Sequence, residues 1–306
     1  MRFTKALTTV GFLAAAALTL TACNSGSPAG EGGGGDAGSD GTSSSASPWE
    51  VAEGVTLEGS PTFAKIADRG EVVIGVKEDQ PGLGYLDTVT KERSGFDVDV
   101  ARWIAASLGY DEENIEFKAI ASANREQAIK NGDVDYYVGT YSINDKRKQD
   151  IDFAGPYFVT GQGLLVKSGG TDYQSLEELD GKTVCSATGS TPIQNIKENF
   201  PKIKAQEFDL YSACVEGLIN GQADAVTTDQ AILIGYAAQD PDNLMVTTGP
   251  LLTEENYGVG LPKGDDVLRE HINTLFTDGG DTWQEILDQN LGNSGITVDQ
   301  PKVDAY

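Results

Sequence analysis

Short apolar runs alternate with amphipathic segments along most of the chain after residue 70. Residues 71–76 (EVVIGV) form a β-branched run between turn residues, a pattern typical of a buried strand. Residues 97–108 carry apolar side chains at the spacing of one helix face, which predicts a helix. The same reasoning predicts strands at 115–120, 134–138, 183–185 and 223–227, and helices at 124–130, 193–200, 213–220 and 231–238. This alternation predicts parallel sheets built from βαβ units, and it does not decide between one sheet and two.

The first 22 residues have a different pattern. Two basic residues precede the apolar residues 7–20, which are too few for a membrane span of about 20 residues. This arrangement is typical of an export signal. Residues 20–23 (LTAC) resemble a bacterial lipobox, in which cleavage occurs before a cysteine that carries the lipid. We therefore expect residues 1–22 to be a lipoprotein signal peptide and Cys23 to carry acyl chains such as palmitate. The alternative is a cleaved signal whose cysteine is incidental.

Residues 24–48 contain eight glycines and seven serines among 25 residues. Such a segment buries too little apolar surface to offset the entropy cost of ordering it. As a flexible coil it would span about 25–30 Å. We expect residues 23–48 to tether the folded part of the protein to the outer face of the bacterial cytoplasmic membrane. A disordered tail without a tethering role would have the same composition.

The charge balance excludes several classes of function. The chain has 22 Lys and Arg against 47 Asp and Glu, a formal net charge of −25. This charge repels phosphate backbones and excludes nucleic-acid binding. One histidine, His271, and three cysteines without a CxxC pair leave no familiar ligand set for zinc or an iron–sulfur cluster. No metal and no cofactor are therefore expected.

The sequence patterns of common enzymes are incomplete in this chain. Residues 181–183 (GKT) resemble the end of a phosphate-binding P-loop, but the glycine required five positions earlier is Leu176. No serine has glycine both two positions before and two positions after it, so the nucleophile elbow is absent. Two closely spaced acidic pairs are present: Asp97 with Asp99, and Asp150 with Asp152. They could serve a glycosidase, but we interpret them as solvated surface charges. No catalytic residues are predicted.

Four segments in sequence order carry a family resemblance: SGFDVDVA (94–101), REQAIKNGDVDYYVGTYSINDKRKQDIDFAGPYF (125–158), TVCSATGST (183–191) and ADAVTTD (223–229). Together they resemble the family 3 extracytoplasmic solute-binding proteins for amino acids, the receptors that feed ABC importers. The segments KEDQPGLG, CSATGSTP, YSACVEGL and TTDQAIL are most similar to actinobacterial glutamate-binding lipoproteins. The resemblance extends roughly from residue 61 to residue 295.

This resemblance implies a two-lobed α/β fold of the type II periplasmic-binding-protein class. Two parallel-rich sheets would be joined by two crossover strands, and the lobes would close on the ligand by a hinge motion. Lobe 1 would comprise residues 61–161 and 251–306, and lobe 2 residues 162–250. Residues 257–261 fit the returning strand, and residues 282–290 fit a final helix packed on lobe 1.

The resemblance also implies contacts to an amino-acid ligand. Arg147 matches the arginine that holds the α-carboxylate, and a guanidinium suits two parallel hydrogen bonds to that group. Thr140 and Ser142 would complete the cradle. Asp229 matches the acid that meets the α-ammonium group, and residues Thr188–Gly189–Ser190 precede a helix whose free N–H groups can receive carboxylate oxygens. The alternatives are a surface ion pair for Arg147, a helix cap for Asp229 and an ordinary helix start for residues 188–190.

Lys77 and Arg125 are the predicted partners of the ligand's side chain, with Gln80 as an additional polar contact. Cations at these positions favour a second carboxylate, and therefore glutamate over aspartate and glutamine. Arg125 has the alternative of a solvated charge on a helix. The remaining cysteines, Cys185 and Cys214, are predicted to form a disulfide in lobe 2 because the protein is exported. Two separate buried thiols are the alternative.

Three functions compete on this pattern. The first is a monomeric, non-enzymatic receptor that binds glutamate and delivers it to the permease subunits of an ABC importer. The second is a sensor module that reports occupancy to a membrane signalling partner. The third is an enzyme similar to cyclohexadienyl dehydratase, which would need a general acid or base in the cleft.

Overall fold

Two five-stranded β-sheets form the frame of the protein in the computed structural model, which describes residues 47–306. The predictions for the signal peptide, for Cys23 and for residues 23–46 of the tether fall outside the described residues. Among residues 47–306, no helix is both long and apolar enough to cross a membrane. The same residues contain no cluster of three or more His, Cys, Asp or Glu placed to hold a metal ion.

The α-helices of the described part are α1 (Pro61–Arg69), α2 (Phe96–Ser107), α3 (Arg125–Asn131), α4 (Asp145–Lys148), α5 (Thr191–Asn199), α6 (Tyr211–Ile219), α7 (Gln230–Gln239), α8 (Asp266–Asp278) and α9 (Gly280–Leu291). Short 3₁₀ helices lie at Glu112–Asn114, Ser122–Asn124 and Glu177–Leu179. The strands are β1 (Val72–Val76), β2 (Asp79–Gln80), β3 (Gly84–Leu86), β4 (Arg93–Ser94), β5 (Ile115–Ala119), β6 (Tyr136–Tyr137), β7 (Asp152–Thr160), β8 (Gln162–Lys167), β9 (Thr183–Ala187), β10 (Lys204–Phe208), β11 (Ala225–Asp229), β12 (Leu244–Val246) and β13 (Glu255–Leu261).

The strand order separates two lobes. The first sheet has the order β5-β1-β6-β13-β7, and we call the part built around it the first lobe. The second sheet has the order β10-β9-β11-β8-β12, and the part built around it is the second lobe. The chain passes from the first sheet to the second between β7 and β8, and it returns between β12 and β13. The predicted lobe boundaries at 161/162 and 250/251 stay predictions.

Both sheets are mixed, which corrects the expectation of parallel sheets from the alternation of strands and helices. In the first sheet β1 pairs in parallel with β5 and β6, whereas β13 is antiparallel to β6 and β7. In the second sheet β9 pairs in parallel with β10 and β11, whereas β8 is antiparallel to β11 and β12. The antiparallel partners include the strands that carry the chain between the lobes, because these strands enter their sheets from the opposite end.

Aromatic packing fixes the final helix on the first lobe. The ring of Trp283 on α9 lies edge-on to Phe96 on α2, with ring centroids 5.9 Å apart. The indole Nε1 of Trp283 donates a hydrogen bond of 2.8 Å to the carbonyl oxygen of Tyr157. Both Phe96 and Trp283 are almost completely buried, so they contribute large apolar areas to this core.

A disulfide ties the second lobe together. Cys185 on β9 and Cys214 on α6 are bonded, with their Cα atoms 5.5 Å apart. The predicted disulfide is therefore confirmed, and the alternative of two free thiols is wrong. The bond fixes α6 to the strand that leads into residues 188–190.

Several predicted elements differ in extent. The predicted strand at 134–138 is reduced to Tyr136–Tyr137, and the strand predicted at 223–227 is observed at Ala225–Asp229. Helices α1 and α8 were not predicted. Helix α1 begins where the hydroxyl of Ser60 accepts a hydrogen bond from the N–H of Phe63, an N-cap directly before Pro61.

Candidate functional site

A cleft between the two lobes collects four chain segments that follow, or end, β-strands. On the first lobe, Lys77 follows β1 and residues 138–142 follow β6. On the second lobe, residues 188–190 follow β9 and Asp229 is the last residue of β11. Ligands gather at the carboxyl ends of strands in open α/β sheets. Of the ten predicted contact residues, eight are buried and the two at 188 and 189 are half-buried.

Arg125, the first residue of α3, is only 2% exposed. Its guanidinium donates to the carbonyl oxygens of Ser122 (3.1 Å), Thr140 (3.3 Å) and Gly189 (3.4 Å), and it lies 4.1 Å from the ring centroid of Tyr141. No carboxylate of the described residues lies within the 4.0 Å of an ion pair with it. A buried charge without a counter-charge is costly, so Arg125 is suited to receive an anionic group. The alternative of a solvated helix charge is wrong.

Arg147 on α4 is also buried, at 7% exposed. It donates to the carbonyl oxygens of Ser142 (2.6 Å) and Gly189 (3.1 Å), and its Nε contacts a carboxylate oxygen of Glu126 at 3.2 Å. The alternative of a surface ion pair with a neighbouring aspartate is therefore wrong. The guanidinium groups of Arg125 and Arg147 meet at one carbonyl oxygen of the second lobe, that of Gly189.

Lys77 is deeply buried. It is 3% exposed, and its ammonium group donates a hydrogen bond of 2.6 Å to the hydroxyl of Ser122. Burial, and then the nearby charge of Arg125, lower the pKa of Lys77 to about 7. Gln80 accepts a hydrogen bond from the hydroxyl of Thr140 at 3.1 Å, and its amide nitrogen is buried without a partner in the described residues. Lys77 and Gln80 therefore each bring a buried hydrogen-bond donor to the first-lobe side of the cleft.

Asp229 supplies the acid of the second lobe. It is 3% exposed, and its Oδ2 accepts a hydrogen bond of 2.6 Å from the hydroxyl of Tyr257. Its Oδ1 is buried without a partner among residues 47–306. Burial, and then the charge of Glu255, raise the pKa of Asp229 to about 7. Although Asp229 precedes α7, its side chain makes no capping hydrogen bond, so the geometry gives no support to the helix-cap alternative.

The interpretation of the acidic pairs as solvated surface charges is wrong for Asp97. This residue is fully buried, and its carboxylate accepts hydrogen bonds from the N–H of Thr140 (2.9 Å) and the hydroxyl of Tyr157 (2.8 Å). Burial raises its pKa to about 6. Asp152 is likewise buried, whereas the other members of the two pairs are more exposed. Thr140 has a positive φ of 46°, and the contact with Asp97 holds its backbone in that conformation.

Residues 188–190 of the second lobe form a loop whose local hydrogen bonds fix the shape of the site. The N–H and hydroxyl of Thr188 donate to the carbonyl oxygen of Phe208 at 2.8 and 3.2 Å. The hydroxyl of Ser190 accepts a hydrogen bond of 3.3 Å from the N–H of Ile193, which caps α5. Ser190 therefore starts a helix, as the alternative proposed, and the same capping fixes the loop that faces the arginines.

Gly189 is required where the two lobes approach each other. Its φ is +77°, and a Cβ on it would lie 2.6 Å from the Cα of Ala123. Next to it, the hydroxyl of Thr191 donates to the hydroxyl of Ser142 on the first lobe at 3.0 Å. This close approach brings the carbonyl oxygen of Gly189 within reach of both arginines.

Tyr141 is a site residue that the sequence reasoning missed. The centroid of its ring lies 4.1 Å from the guanidinium of Arg125 and 4.8 Å from that of Arg147. Its hydroxyl is buried without a partner in the described residues. An aromatic residue at the end of a strand is typical of core packing, so the sequence offered no signal. Cation–π contacts to one ring therefore help to position both guanidinium groups.

Comparisons with known proteins agree with this geometry. The model of the family described as "Bacterial extracellular solute-binding proteins, family 3" matches residues 72–293. The glutamate-binding protein GluB of Corynebacterium glutamicum is 40% identical over 266 residues, covering 81% of this chain and 89% of that protein. The ABC transporter glutamine-binding protein GlnH of Bacillus subtilis is 39% identical over 213 residues, covering 69% and 77%.

Solved structures are similar over most of the chain. An ancestral arginine-binding protein bound to arginine has a TM-score of 0.67 at 33% identity, covering 73% of this chain and 99% of that structure. A cysteine-binding protein from Campylobacter jejuni has a TM-score of 0.73 at 27% identity, covering 79% and 98%.

Proposed function

Because the chain belongs to family 3 of the bacterial extracellular solute-binding proteins, we propose that it captures an acidic amino acid, preferably glutamate, and delivers it to an ABC importer. Family membership makes the protein a binding protein and not an enzyme, with the two-lobed fold of type II periplasmic binding proteins. The ligand, its orientation and the anchor of the protein are the parts that we propose.

The buried guanidinium of Arg125 is the observation that carries this proposal. It lies in the cleft without a carboxylate partner among the described residues, next to Lys77 and Arg147. A ligand with two carboxylates and one ammonium group would place one carboxylate on Arg147 and the second near Arg125 and Lys77. Charge-assisted hydrogen bonds to a guanidinium are among the stronger polar contacts in proteins, so this placement offsets the cost of burying the cation.

The opposite charge of the ligand meets the second lobe. The Oδ1 of Asp229 has no hydrogen-bond partner among residues 47–306 and would accept from the α-ammonium group. Gln80, Thr140, Ser142 and the segment 188–190 would supply the remaining polar contacts. Positioning an ammonium group beside Asp229 favours its ionised form, which burial otherwise disfavours.

The names of the relatives support this choice of ligand. GluB is named for glutamate and GlnH for glutamine and for an ABC transporter. The structurally similar arginine-binding protein binds a cationic side chain. In this chain a cationic ligand side chain would face Lys77 and Arg125, and like charges in a buried cleft repel strongly. Glutamate therefore fits better than arginine.

A lipid on Cys23 would hold this receptor, as a monomer, at the outer face of the bacterial cytoplasmic membrane beside the permease. The proposal rests on residues 20–23 (LTAC) after an export signal. One acyl chain binds membranes weakly, so firm anchoring implies more than one chain. Cys23→Ala should abolish acyl labelling and release the protein from the membrane fraction. Equal labelling of the variant would contradict the anchor while leaving the ligand proposal intact.

A thermal-shift screen of the twenty standard amino acids on the purified protein tests the ligand. At 100 times its Kd, glutamate should stabilise the protein by about 2.7 kcal/mol. Aspartate should stabilise less, because its side-chain carboxylate falls one methylene short, and so should glutamine, because it lacks the second charge. A largest shift with arginine or with an apolar amino acid would contradict the proposal, and so would no shift with any of the twenty.

A further inference from the structure

The two lobes touch at a second place that contains none of the ten predicted ligand contacts. Asp79 on β2 of the first lobe reaches the N-terminus of α6 on the second lobe. Its Oδ2 accepts a hydrogen bond of 3.0 Å from the backbone N–H of Ser212 and lies 3.3 Å from the hydroxyl of Tyr236 on α7. That hydroxyl also donates to the main-chain oxygen of Asp79. Asp79 is 9% exposed, so these bonds are largely shielded from water.

Asp79 caps the N-terminus of α6, a role that no side chain of the second lobe fills. The N-cap residue of α6, Leu210, has no side chain that can accept a hydrogen bond, and α6 has no side-chain cap of its own. The first N–H groups of a helix need acceptors, and a carboxylate there interacts favourably with the helix dipole. In this protein the carboxylate comes from the opposite lobe. The contact exists only while the lobes are together.

Gly235 permits a close backbone approach at the same place. A Cβ on Gly235, in the middle of α7, would lie 2.2 Å from the carbonyl oxygen of Pro81. Real side chains essentially never approach a backbone oxygen that closely, so an alanine at this position would force α7 away from the first lobe. The position needs no unusual backbone angle, because Gly235 lies within a regular helix. Its glycine therefore serves the contact between lobes.

We propose that Asp79 and Pro81 on the first lobe, with Ser212, Gly235 and Tyr236 on the second, form a latch that holds the lobes together and sets ligand affinity without touching the ligand. The inference rests on the proposed function, because it assigns these side chains the role of positioning residues for ligand capture. A ligand that binds the closed lobes has an apparent Kd equal to its intrinsic Kd divided by the closed fraction. Weakening the latch lowers that fraction and weakens binding of every ligand by the same factor.

The other contact between lobes cannot be separated from recognition in this way. It uses Arg125 and Arg147, which donate to Gly189 and which we also propose as ligand contacts. Substitutions there would change selectivity as well as affinity. Substitutions in the latch should instead lower the affinity for every ligand and leave the selectivity unchanged.

Gly235→Ala is the sharpest test, with Gly217→Ala as its matched control. Gly217 lies in α6 of the same lobe, and a Cβ on it would meet only Gln222 and Phe208, at 3.6 Å or more. Alanine favours helices over glycine at both positions, so neither ligand-free variant should melt below the parent. We expect Gly235→Ala to weaken glutamate binding by about thirtyfold, close to 2 kcal/mol, and Gly217→Ala to bind like the parent.

A double-mutant cycle of Asp79→Ala and Tyr236→Phe tests the polar part. Each single variant should weaken glutamate and glutamine binding about five- to tenfold, mainly through faster dissociation, with an unchanged glutamate-to-glutamine ratio. The double variant should lose less than the product of the two, because both changes break one contact. Parent-like affinity of Gly235→Ala and Asp79→Ala, or a changed ratio, would overturn the latch. Failure of the parent protein to bind any amino acid would instead overturn the proposed function.

Discussion

The two walls of the cleft differ in charge. The wall of the first lobe carries three buried cations, Lys77, Arg125 and Arg147. The wall of the second lobe carries one acid, Asp229, and otherwise offers the carbonyl oxygen of Gly189 and hydroxyl groups. Other buried acids near the first wall are already engaged, as Asp97 is by Thr140 and Tyr157.

This difference indicates how an amino acid with two carboxylates would be divided between the lobes. Its carboxylates suit the first wall and its ammonium group suits the second. Neither wall complements the whole ligand, so full recognition requires both lobes, and binding shifts the protein toward the arrangement in which they meet.

The largest effect is expected when a single charge is removed from either wall of the cleft. Arg147→Ala and Asp229→Ala should each weaken glutamate binding by about 2–5 kcal/mol, because each leaves one end of a desolvated zwitterion without its partner. Calorimetric titration with glutamate measures the loss. Arg102→Ala is the control, since Arg102 pairs with Glu112 and Asp99 outside the cleft and its loss should leave affinity unchanged.

Parent-like affinity of either cleft variant, in a protein that still folds, would mean that the proposed orientation of the ligand is wrong. If only Arg147→Ala lost glutamate affinity, the carboxylate contact on the first wall would be supported. The proposed role of Asp229 on the second wall would then be contradicted.

The first wall should also decide between glutamate and glutamine. Arg125→Met and Lys77→Met keep the aliphatic stems and remove the charges. Each should cost glutamate about 1.5–3 kcal/mol, the scale of hydrogen bonds to charged groups, and glutamine far less. Arg125→Met should have the larger effect because the pKa of Lys77 is lowered to about 7 and part of its charge is lost at neutral pH. Titrations with both ligands give the ratio, and an equal loss for both would make these cations structural.

The smallest effect is a dependence of affinity on pH with a maximum near pH 7. Asp229, with a pKa raised to about 7, takes up a proton as the pH falls and can no longer pair with the ammonium group. Lys77, with a pKa lowered to about 7, loses its proton as the pH rises and attracts the side-chain carboxylate less. The pH profile therefore has an acidic limb below its maximum and an alkaline limb above it. On each limb the affinity should change by at most about tenfold per pH unit, since one proton is involved.

Titrations with glutamate from about pH 5.5 to about pH 8.5 measure both limbs. Lys77→Met should lose the alkaline limb and keep the acidic one. A parent protein whose affinity does not change across this range would contradict the assignment of both groups to ligand contacts.

Local pattern predicted many of the helices and strands, and it failed where partners are distant. The strand at 71–76 follows from its β-branched run and the helix at 97–108 from the spacing of its apolar residues, and the structure has them at Val72–Val76 and Phe96–Ser107. The mixed pairing of both sheets depends on β8 and β13, whose partners are set by the passage of the chain between lobes. No local spacing encodes that direction.

The sequence identified most of the residues of the site, but it did not show how deeply they are buried or what they contact. Arg125 and Arg147 were selected as candidates, but their burial could not be read from their segments, both of which are rich in charge. Asp97 was interpreted as a surface acid because Thr140, which it contacts, lies 43 residues away. Asp79 escaped selection because its partners belong to the other lobe. Burial and contacts of this kind depend on tertiary packing.

The most direct test of the central claim is a crystal structure of the protein with bound glutamate. We predict the α-carboxylate on Arg147, the side-chain carboxylate within hydrogen-bond distance of Arg125 or Lys77, and the ammonium group on Oδ1 of Asp229. Both carboxylates would then lie on the first wall and the ammonium group on the second. A side-chain carboxylate directed toward the second lobe, or an ammonium group without contact to Asp229, would contradict the account.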